Sequence, residues 1–159
     1  MDKSLMTPTF GATAHKLDFA FRIKLREEER RELGNTLFMA RGFDHRLLVY
    51  TPEAWERWLA ECEKLPRHDP QADALYDLLA GSGEQCEVDA QGRVRIPEAL
   101  LDWARLKDKS VACLVRSRDC WHIWEKENYE AFCERAEQLQ RVMAEYFGGG
   151  RAREGGAEA

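Results

Sequence analysis

The chain has 159 residues, of which 44% are hydrophobic and 33% charged, which fits one compact globular domain or two small ones. Its 24 basic and 29 acidic side chains give a net charge of −5, which excludes a uniformly basic nucleic-acid coat. Any contact with DNA must therefore use a local patch. No apolar run reaches the ~20 residues of a membrane span, and the first residues lack the pattern of a signal peptide. We therefore expect a cytoplasmic protein without a membrane partner.

The predicted elements follow the same order twice along the chain. The segment LDFAFRIKL aligns with VDAQGRVRI at an offset of 71 residues, which places Asp18 on Asp89 and Arg22 on Arg93. Each half is predicted to contain a strand, a DxxxR turn, a strand, a short helix, two further strands and a helix. Duplication is a better explanation of this order than chance.

A helix between the halves and a long helix at the end complete the predicted organisation. Asp69 and Pro70 mark the start of the helix between the halves, and an apolar stripe of helical period predicts the last helix. The predicted boundaries are 8–65 for the first repeat, 66–82 for a linker helix, 83–147 for the second repeat with its C-terminal helix, and 148–159 for a disordered tail.

The sequence contains no set of residues typical of an active site. The GxSxG and HExxH motifs of hydrolases, the phosphate-binding GxxxxGK[ST] motif and a GxGxxG motif after a strand are all absent. The five cysteines include no pair at CxxC spacing and fall mostly at apolar positions, which indicates reduced core residues. Cys120 and His122 could both face one zinc ion, but no second ligand pair accompanies them. We therefore expect no metal or cofactor, and a metal- or thiol-dependent enzyme is a minor alternative.

Four cations occupy matched places in the two halves, namely Arg22, Lys24, Arg93 and Arg95. On a strand, residues two apart point to the same face, so each half presents a pair of cations on one face. A solvated polar strand face would explain the charge alone. Repetition at matched positions favours binding to a repeated polyanion, and we predict that these four residues contact DNA.

Four further residues complete the predicted site. Lys16 and Gln91 are weaker candidates for contacts with DNA. Asp18 and Asp89 each precede an arginine by four residues across a turn, which predicts a local Asp–Arg pair that braces the turn. A catalytic role for these two carboxylates is less favoured, although paired acids can carry acid–base chemistry.

Four segments of the sequence resemble a known family. FGATAHKLDFAFR and LLAGSGEQCEVDAQGRVRIP look like the two DxxxR signatures of MraZ, a family of bacterial regulators with two SpoVT/AbrB-like repeats in one chain. RGFDHRLLVYTPEAWERW and CWHIWEKENYEAF are similar to the segments that follow each signature, and the resemblance covers roughly residues 8 to 135. It implies an α+β fold in which two tandem AbrB-like swapped-hairpin repeats form one small β-barrel, with flanking helices and a long C-terminal helix.

The resemblance also implies a function. It predicts a sequence-specific, nucleoid-associated transcriptional regulator that binds double-stranded DNA at short direct repeats, in the promoter upstream of the division and cell-wall gene cluster. It further implies self-assembly into a ring-shaped, octamer-like homo-oligomer, with no cofactor.

The first signature departs from the family pattern at two positions. Phe21 stands where the turn glycine is usual, and Arg26 stands where a proline usually follows the strand. A bulky residue disfavours positive φ, so we expect a first turn of different shape and a larger share of DNA reading by Arg93 than by Arg22. The alternative function is a protein-interaction or assembly module whose first hairpin is degraded for DNA binding.

Overall fold

The computed structural model describes residues 12–148, and its elements confirm both the predicted order and the α+β class. The first half contains β1 (Ala12–Lys16), β2 (Arg22–Lys24), α1 (Glu27–Leu33), β3 (Thr36–Arg41), β4 (Leu47–Tyr50) and α2 (Pro52–Cys62). Helix α3 (Pro70–Leu79) follows. The second half contains β5 (Glu84–Glu87), β6 (Arg93–Arg95), α4 (Glu98–Ala104), β7 (Val111–Arg116), β8 (Trp121–Glu125), α5 (Lys126–Glu137) and α6 (Gln140–Met143).

The strands of the two halves alternate within one set of sheets. Six strands form a sheet in the order β1-β7-β8-β4-β3-β5, and β2 pairs with β6 in a separate two-stranded ribbon. All pairings are antiparallel, and four of them join one half to the other: β1 with β7, β2 with β6, β3 with β5 and β4 with β8. Exchanging the halves maps this set of pairings onto itself, so the pairing scheme has an approximate twofold symmetry.

Two helices begin with a capping side chain followed by proline, and the start of α3 at Asp69 and Pro70 is the predicted one. The Thr51 hydroxyl accepts a hydrogen bond from the Ala54 amide at 3.2 Å and caps α2. The Asp69 carboxylate accepts from the Gln71 amide at 2.9 Å and caps α3, which ends before Gly81. Because each cap is followed by proline at the first helical position, these starts are readable from sequence alone.

The main core lies between the ribbon and the large sheet. The ribbon contributes Ile23 and Val94, each about 1% exposed, while the sheet contributes Leu37, Leu47 and Leu114. Helix α4 covers the same cluster with its apolar side, formed by Leu100, Leu101 and Ala104. The inward side of the ribbon is therefore fixed by apolar burial, and its other side must face away from this core.

The final helix is shorter than predicted. Helix α5 ends at Glu137, and α6 is followed by a π-helical turn over Ala144–Gly148. The amides of Gln138 and Leu139 bond to carbonyls three residues back, at 3.1 and 3.0 Å, which interrupts the α-helical ladder.

The stripe of helical period therefore does not give one continuous helix. None of the residues in α5, α6 or the π-helical turn is buried, and helices obtain most of their stability from packing of an apolar face. The part of the chain from residue 127 is a compact unit separate from residues 12–126. Most of the predicted disordered tail, residues 149–159, lies outside the described residues.

Three of the five cysteines are small core residues, whereas Cys120 is half-buried and Cys133 is exposed. Cys62, Cys86 and Cys113 are buried, and all five cysteines are free thiols. Burial raises the pKa of the Cys86 thiol to about 12, and the nearby carboxylates of Glu84 and Glu87 add to the effect, so this thiol stays protonated at neutral pH. No helix within residues 12–148 is long and apolar enough to cross a membrane.

The zinc alternative at Cys120 and His122 is not supported by the part of the chain that the structure describes. Within that part, no group of three histidine, cysteine or acidic side chains is arranged to hold a metal ion. Burial lowers the pKa of His122 to about 4, and the charge of Arg46 acts in the same direction. His122 is therefore a neutral, partly buried residue of β8.

Candidate nucleic-acid interface

The first DxxxR turn is organised by the Asp18 carboxylate. Its Oδ1 accepts hydrogen bonds from the backbone amides of Ala20 and Arg22, both at 2.9 Å. Its Oδ2 accepts from Arg22 Nε at 2.8 Å. The backbone closes the turn, since the Phe21 amide donates to the Asp18 carbonyl at 3.0 Å. One carboxylate thus fixes both the loop and its arginine.

The second turn repeats this arrangement bond for bond. Asp89 Oδ1 accepts from the amides of Gln91 and Arg93 at 2.9 Å, and Asp89 Oδ2 accepts from Arg93 Nε at 2.9 Å. The Gly92 amide donates to the Asp89 carbonyl at 3.0 Å. Local Asp–Arg pairs are present in both turns, as the spacing predicts.

The expectation of a reshaped first turn is wrong. Phe21 has a φ of 57° and Gly92 a φ of 81°, so both adopt the left-handed region that the turn requires. Phe21 is partly buried and packs against the main core, where it lines one pocket with Leu101 of α4. The apolar contacts of the ring offset the cost of the left-handed conformation. The observation on which the degraded-hairpin alternative depended is therefore absent.

A different neighbour explains why the second turn keeps its glycine. A Cβ atom at Gly92 would lie 2.8 Å from Cδ and 3.1 Å from Nε of Arg30, a residue of α1. The Arg30 side chain thus lies directly against the second turn. Neither the packing of Phe21 on α4 nor that of Arg30 on Gly92 follows from local sequence, because each joins one half to the other.

The four predicted cations come together on one face of the β2–β6 ribbon. Arg22 lies opposite Arg95, and Lys24 lies opposite Arg93, while Ile23 pairs with Val94 on the buried side. We call the four cations the basic ribbon: Arg22, Lys24, Arg93 and Arg95. Like charges directly opposite one another destabilise a strand pair, so this arrangement costs stability and points to a role outside folding.

The two aspartates partly neutralise the basic ribbon. Desolvation raises the pKa of Asp18, but hydrogen bonds from the amides of Arg22 and Ala20 and from the Arg22 guanidinium outweigh it, and the pKa is lowered. The Arg93 amide, opposed by a smaller desolvation effect, and the Arg93 guanidinium lower the pKa of Asp89. Both carboxylates stay ionised at neutral pH and hold Nε of their arginines, which leaves the outer guanidinium nitrogens for a ligand.

The remaining cations of the basic ribbon have no carboxylate partner. Lys24 and Arg95 are exposed, and neither forms an ion pair within residues 12–148. Four cations against two carboxylates leave this face net positive on a chain that is net negative. The local basic patch that DNA binding demands is thus present.

The two weaker candidates lie in different parts of the structure. Gln91 is exposed in the second turn, where its backbone amide bonds to Asp89 and its side chain is directed by no hydrogen bond among the described residues. Lys16 is exposed at the end of β1, opposite Val111 in the large sheet. Lys16 therefore belongs to the six-stranded sheet and not to the basic ribbon.

Sequence reasoning missed two residues that the structure places at the turns. Phe19 is 84% exposed in the first turn, and its ring lies 5.6 Å from the Arg22 guanidinium carbon. Arg30 lies against the second turn, as described above. The position of Phe19 inside the DxxxR signature was the available signal, whereas nothing in the sequence connects Arg30 with Gly92.

Comparison with known proteins finds related sequences for both repeats. The family model described as "MraZ protein, putative antitoxin-like" matches the chain twice, at residues 9–78 and 79–146. The transcriptional regulator MraZ of Ligilactobacillus salivarius is 33% identical over 135 residues, which cover 85% of this chain and 93% of that protein. The transcriptional regulator MraZ of Carboxydothermus hydrogenoformans is 30% identical over the same shares. That of Lactiplantibacillus plantarum is 32% identical over 77% of this chain and 86% of its own length.

These matches cover both repeats, and the family they name is one of transcriptional regulators, as the sequence predicted in preference to an enzyme. The chain belongs to the MraZ family, whose matched members are transcriptional regulators.

Proposed function

We propose that the chain binds double-stranded DNA through the basic ribbon. The observation that carries the proposal is the register of β2 and β6, which gathers four matched cations on the side of the ribbon opposite the core. The major groove of B-DNA is about 12 Å wide and admits a two-stranded β-ribbon. A ribbon of three residues per strand fits this width with its cations toward the bases and phosphates.

The cations divide into two roles. Arg22 and Arg93 are held at Nε by carboxylates, so their outer nitrogens have a fixed direction, as bidentate contacts to a guanine edge require. Lys24 and Arg95 are exposed without a fixed partner among the described residues and suit phosphate contacts. Gln91 and Lys16 supply additional contacts at the periphery, and Asp18 and Asp89 act as positioning residues.

The family resemblance supports the wider proposal. The regulator acts at the nucleoid in the cytoplasm and binds short direct repeats upstream of the division and cell-wall gene cluster. The six-stranded sheet and the basic ribbon form one small barrel of swapped hairpins. This proposal is supported by the antiparallel bridge between Val88, which follows β5, and Val94 of β6, and by the 2.8 Å hydrogen bond from His15 Nδ1 of β1 to the Lys24 carbonyl of β2. Several chains assemble into an octamer-like ring, so that weak contacts from each ribbon combine through effective concentration on repeated sites.

Selection from a random duplex library, followed by titration at two salt concentrations, tests the DNA-binding proposal. We expect Arg22→Ala and Arg93→Ala each to weaken binding to the selected duplex by about 1–3 kcal/mol and to reduce the salt slope by about one. Arg67→Ala is the matched control, because Arg67 is an exposed arginine paired with Glu63 outside the ribbon. Unchanged affinity and salt slope in both ribbon variants would contradict the proposal.

A further inference from the structure

The two ends of the basic ribbon carry different side chains although their backbones match. The first turn presents Phe19 and Ala20, and the second presents Ala90 and Gln91 at the corresponding positions. The hydrogen bonds of the two turns are the same, so the difference lies in side-chain chemistry alone. One end offers an aromatic ring, and the other offers an amide.

Phe19 is exposed in a way that the fold does not require. Its neighbour Phe21 turns into the main core, whereas Phe19 is 84% exposed, the largest exposed fraction among the large apolar side chains described. A single exposed apolar residue is common on protein surfaces. Here, however, the exposed ring lies at the end of a face that already carries four cations.

The ring also contacts a side chain of its own turn. The Phe19 ring lies 5.6 Å from the Arg22 guanidinium carbon, within the range of a cation–π contact. Arg22 is in turn held by Asp18 at 2.8 Å, and its side chain is only 22% exposed. The contact with a braced arginine restricts the ring, and this lowers the cost of ordering it when a ligand binds.

We propose that Phe19 contacts the 5-methyl group of a thymine next to the base that Arg22 reads. An aromatic side chain in the major groove recognises thymine through this methyl group, while a glutamine such as Gln91 suits the N6 and N7 atoms of adenine. The ribbon then reads a different base at each end, and its site has a direction. Sites with a direction suit direct repeats better than palindromes. This inference rests on the proposed function.

A uracil scan tests the inference. The duplex selected by the wild-type protein is synthesised in a series in which one thymine at a time is replaced by deoxyuridine, which removes only the methyl group. We expect wild-type affinity to fall roughly three- to tenfold at one or two positions, the effect of losing one buried methyl contact. Phe19→Ala binds the thymine duplex with the same reduced affinity and is indifferent to uracil at those positions.

Phe43→Ala serves as the matched control, because Phe43 is 56% exposed and lies in the turn before β4, outside the ribbon. We expect this variant to keep the wild-type pattern of uracil sensitivity, and both variants to melt at the wild-type temperature. The inference is overturned if the wild-type protein binds every uracil duplex as tightly as the thymine duplex. It is also overturned if Phe19→Ala keeps the wild-type pattern of uracil sensitivity, including the case in which its affinity for every duplex falls by the same factor. If the DNA-binding proposal itself is wrong, the result differs: the wild-type protein then enriches no sequence from the library and shows no salt-dependent binding.

Discussion

At the residue scale, the two turns show how a neighbour in space decides which side chain a backbone position accepts. Phe21 and Gly92 occupy equivalent positions with φ of 57° and 81°. Phe21 packs toward Leu101 of α4, whereas Arg30 of α1 lies across Gly92. Leu101 and Arg30 are themselves equivalent under the repeat. An apolar pair in one turn is thus replaced by a glycine–arginine pair in the other.

The sequence alone could identify the departure at Phe21 but not its outcome. The φ preference of a bulky residue is a local property, and it predicted a reshaped turn. The contact with α4 is non-local, and it keeps the turn in its original shape. The Asp–Arg pairs, by contrast, were predictable, because every atom involved lies within five consecutive residues.

Gly92→Ala tests the requirement for space and for positive φ. We expect the free energy of unfolding to fall by about 1–2 kcal/mol, because alanine in the left-handed conformation is strained and its Cβ would meet Arg30. Urea denaturation measures the change. In an Arg30→Ala background the same substitution should cost less, since only the strain remains. An equal cost in both backgrounds would show that Arg30 does not press on the turn.

At the element scale, the equivalent helices α1 and α4 are preceded by different residues with a similar backbone conformation. Arg26 and Pro97 precede these helices with similar backbone angles, φ −73° and ψ 158° against φ −57° and ψ 145°. Arginine has an amide hydrogen that proline lacks, and the Arg26 amide donates to Glu29 Oε1 at 2.7 Å. Arg26 therefore replaces proline without leaving an unsatisfied donor.

Glu29 is also the centre of a buried polar cluster. The Thr13 hydroxyl donates to Glu29 Oε2 at 2.6 Å, and His15 Nε2 lies 3.3 Å from Glu29 Oε1. His15 Nδ1 donates to the carbonyl of Lys24 at 2.8 Å and so ties β2 to β1. Burial raises the pKa of Glu29, but hydrogen bonds from His15, Thr13 and Arg26 outweigh this and lower it. The Glu29 contribution to stability is therefore complete above the unfolded pKa and is lost as pH falls through the lowered value.

The second half has an apolar set at the corresponding positions. His15 aligns with Cys86 and Glu29 with Leu100, both buried, as Arg26 aligns with Pro97. The sequence pattern predicted the helix in each half, but Glu29 is the last of three consecutive glutamates at the start of α1, and nothing in the sequence marked it as the buried one. Its burial depends on partners from β1, whose position follows from the tertiary fold.

Exchange of these residues between the halves tests the cluster. Glu29→Leu alone should lower the free energy of unfolding by about 1–3 kcal/mol, because it removes the carboxylate that accepts from the Thr13 hydroxyl and the Arg26 amide and that lies against His15. The triple variant His15→Cys, Arg26→Pro, Glu29→Leu reproduces the set of the second half and should recover most of that loss. Urea denaturation at neutral pH measures both, and a triple variant no more stable than the single one would contradict the interpretation.

At the scale of the whole molecule, the pairings between halves determine what can fold alone. Of the six strand pairings within residues 12–148, four join the two halves, and β3–β4 and β7–β8 lie within one half. Repetition in the sequence predicted two similar sets of elements. It did not predict from residues alone which strands would pair, because strands in two independent domains and in one interleaved unit have the same periodicity.

Separated halves provide the last prediction. A fragment of residues 12–65 or 83–126 contains four strands, and each of the four loses a partner from the other half. Only the pairing of β3 with β4, or of β7 with β8, remains in a fragment. We expect neither fragment to fold as a monomer, because the missing pairings expose the ribbon residues Ile23 or Val94, each about 1% exposed in the whole chain. Because the two sets of elements match in order, a fragment can complete its sheet only with the other half or with a second copy of itself. Circular dichroism and analytical ultracentrifugation should show unfolded monomers or folded dimers for each fragment, and a folded one-to-one complex on mixing.

The control is the full chain with a protease site between α2 and α3, which should stay folded after cleavage because every strand pairing survives the cut. A folded monomeric fragment would contradict the interleaved architecture.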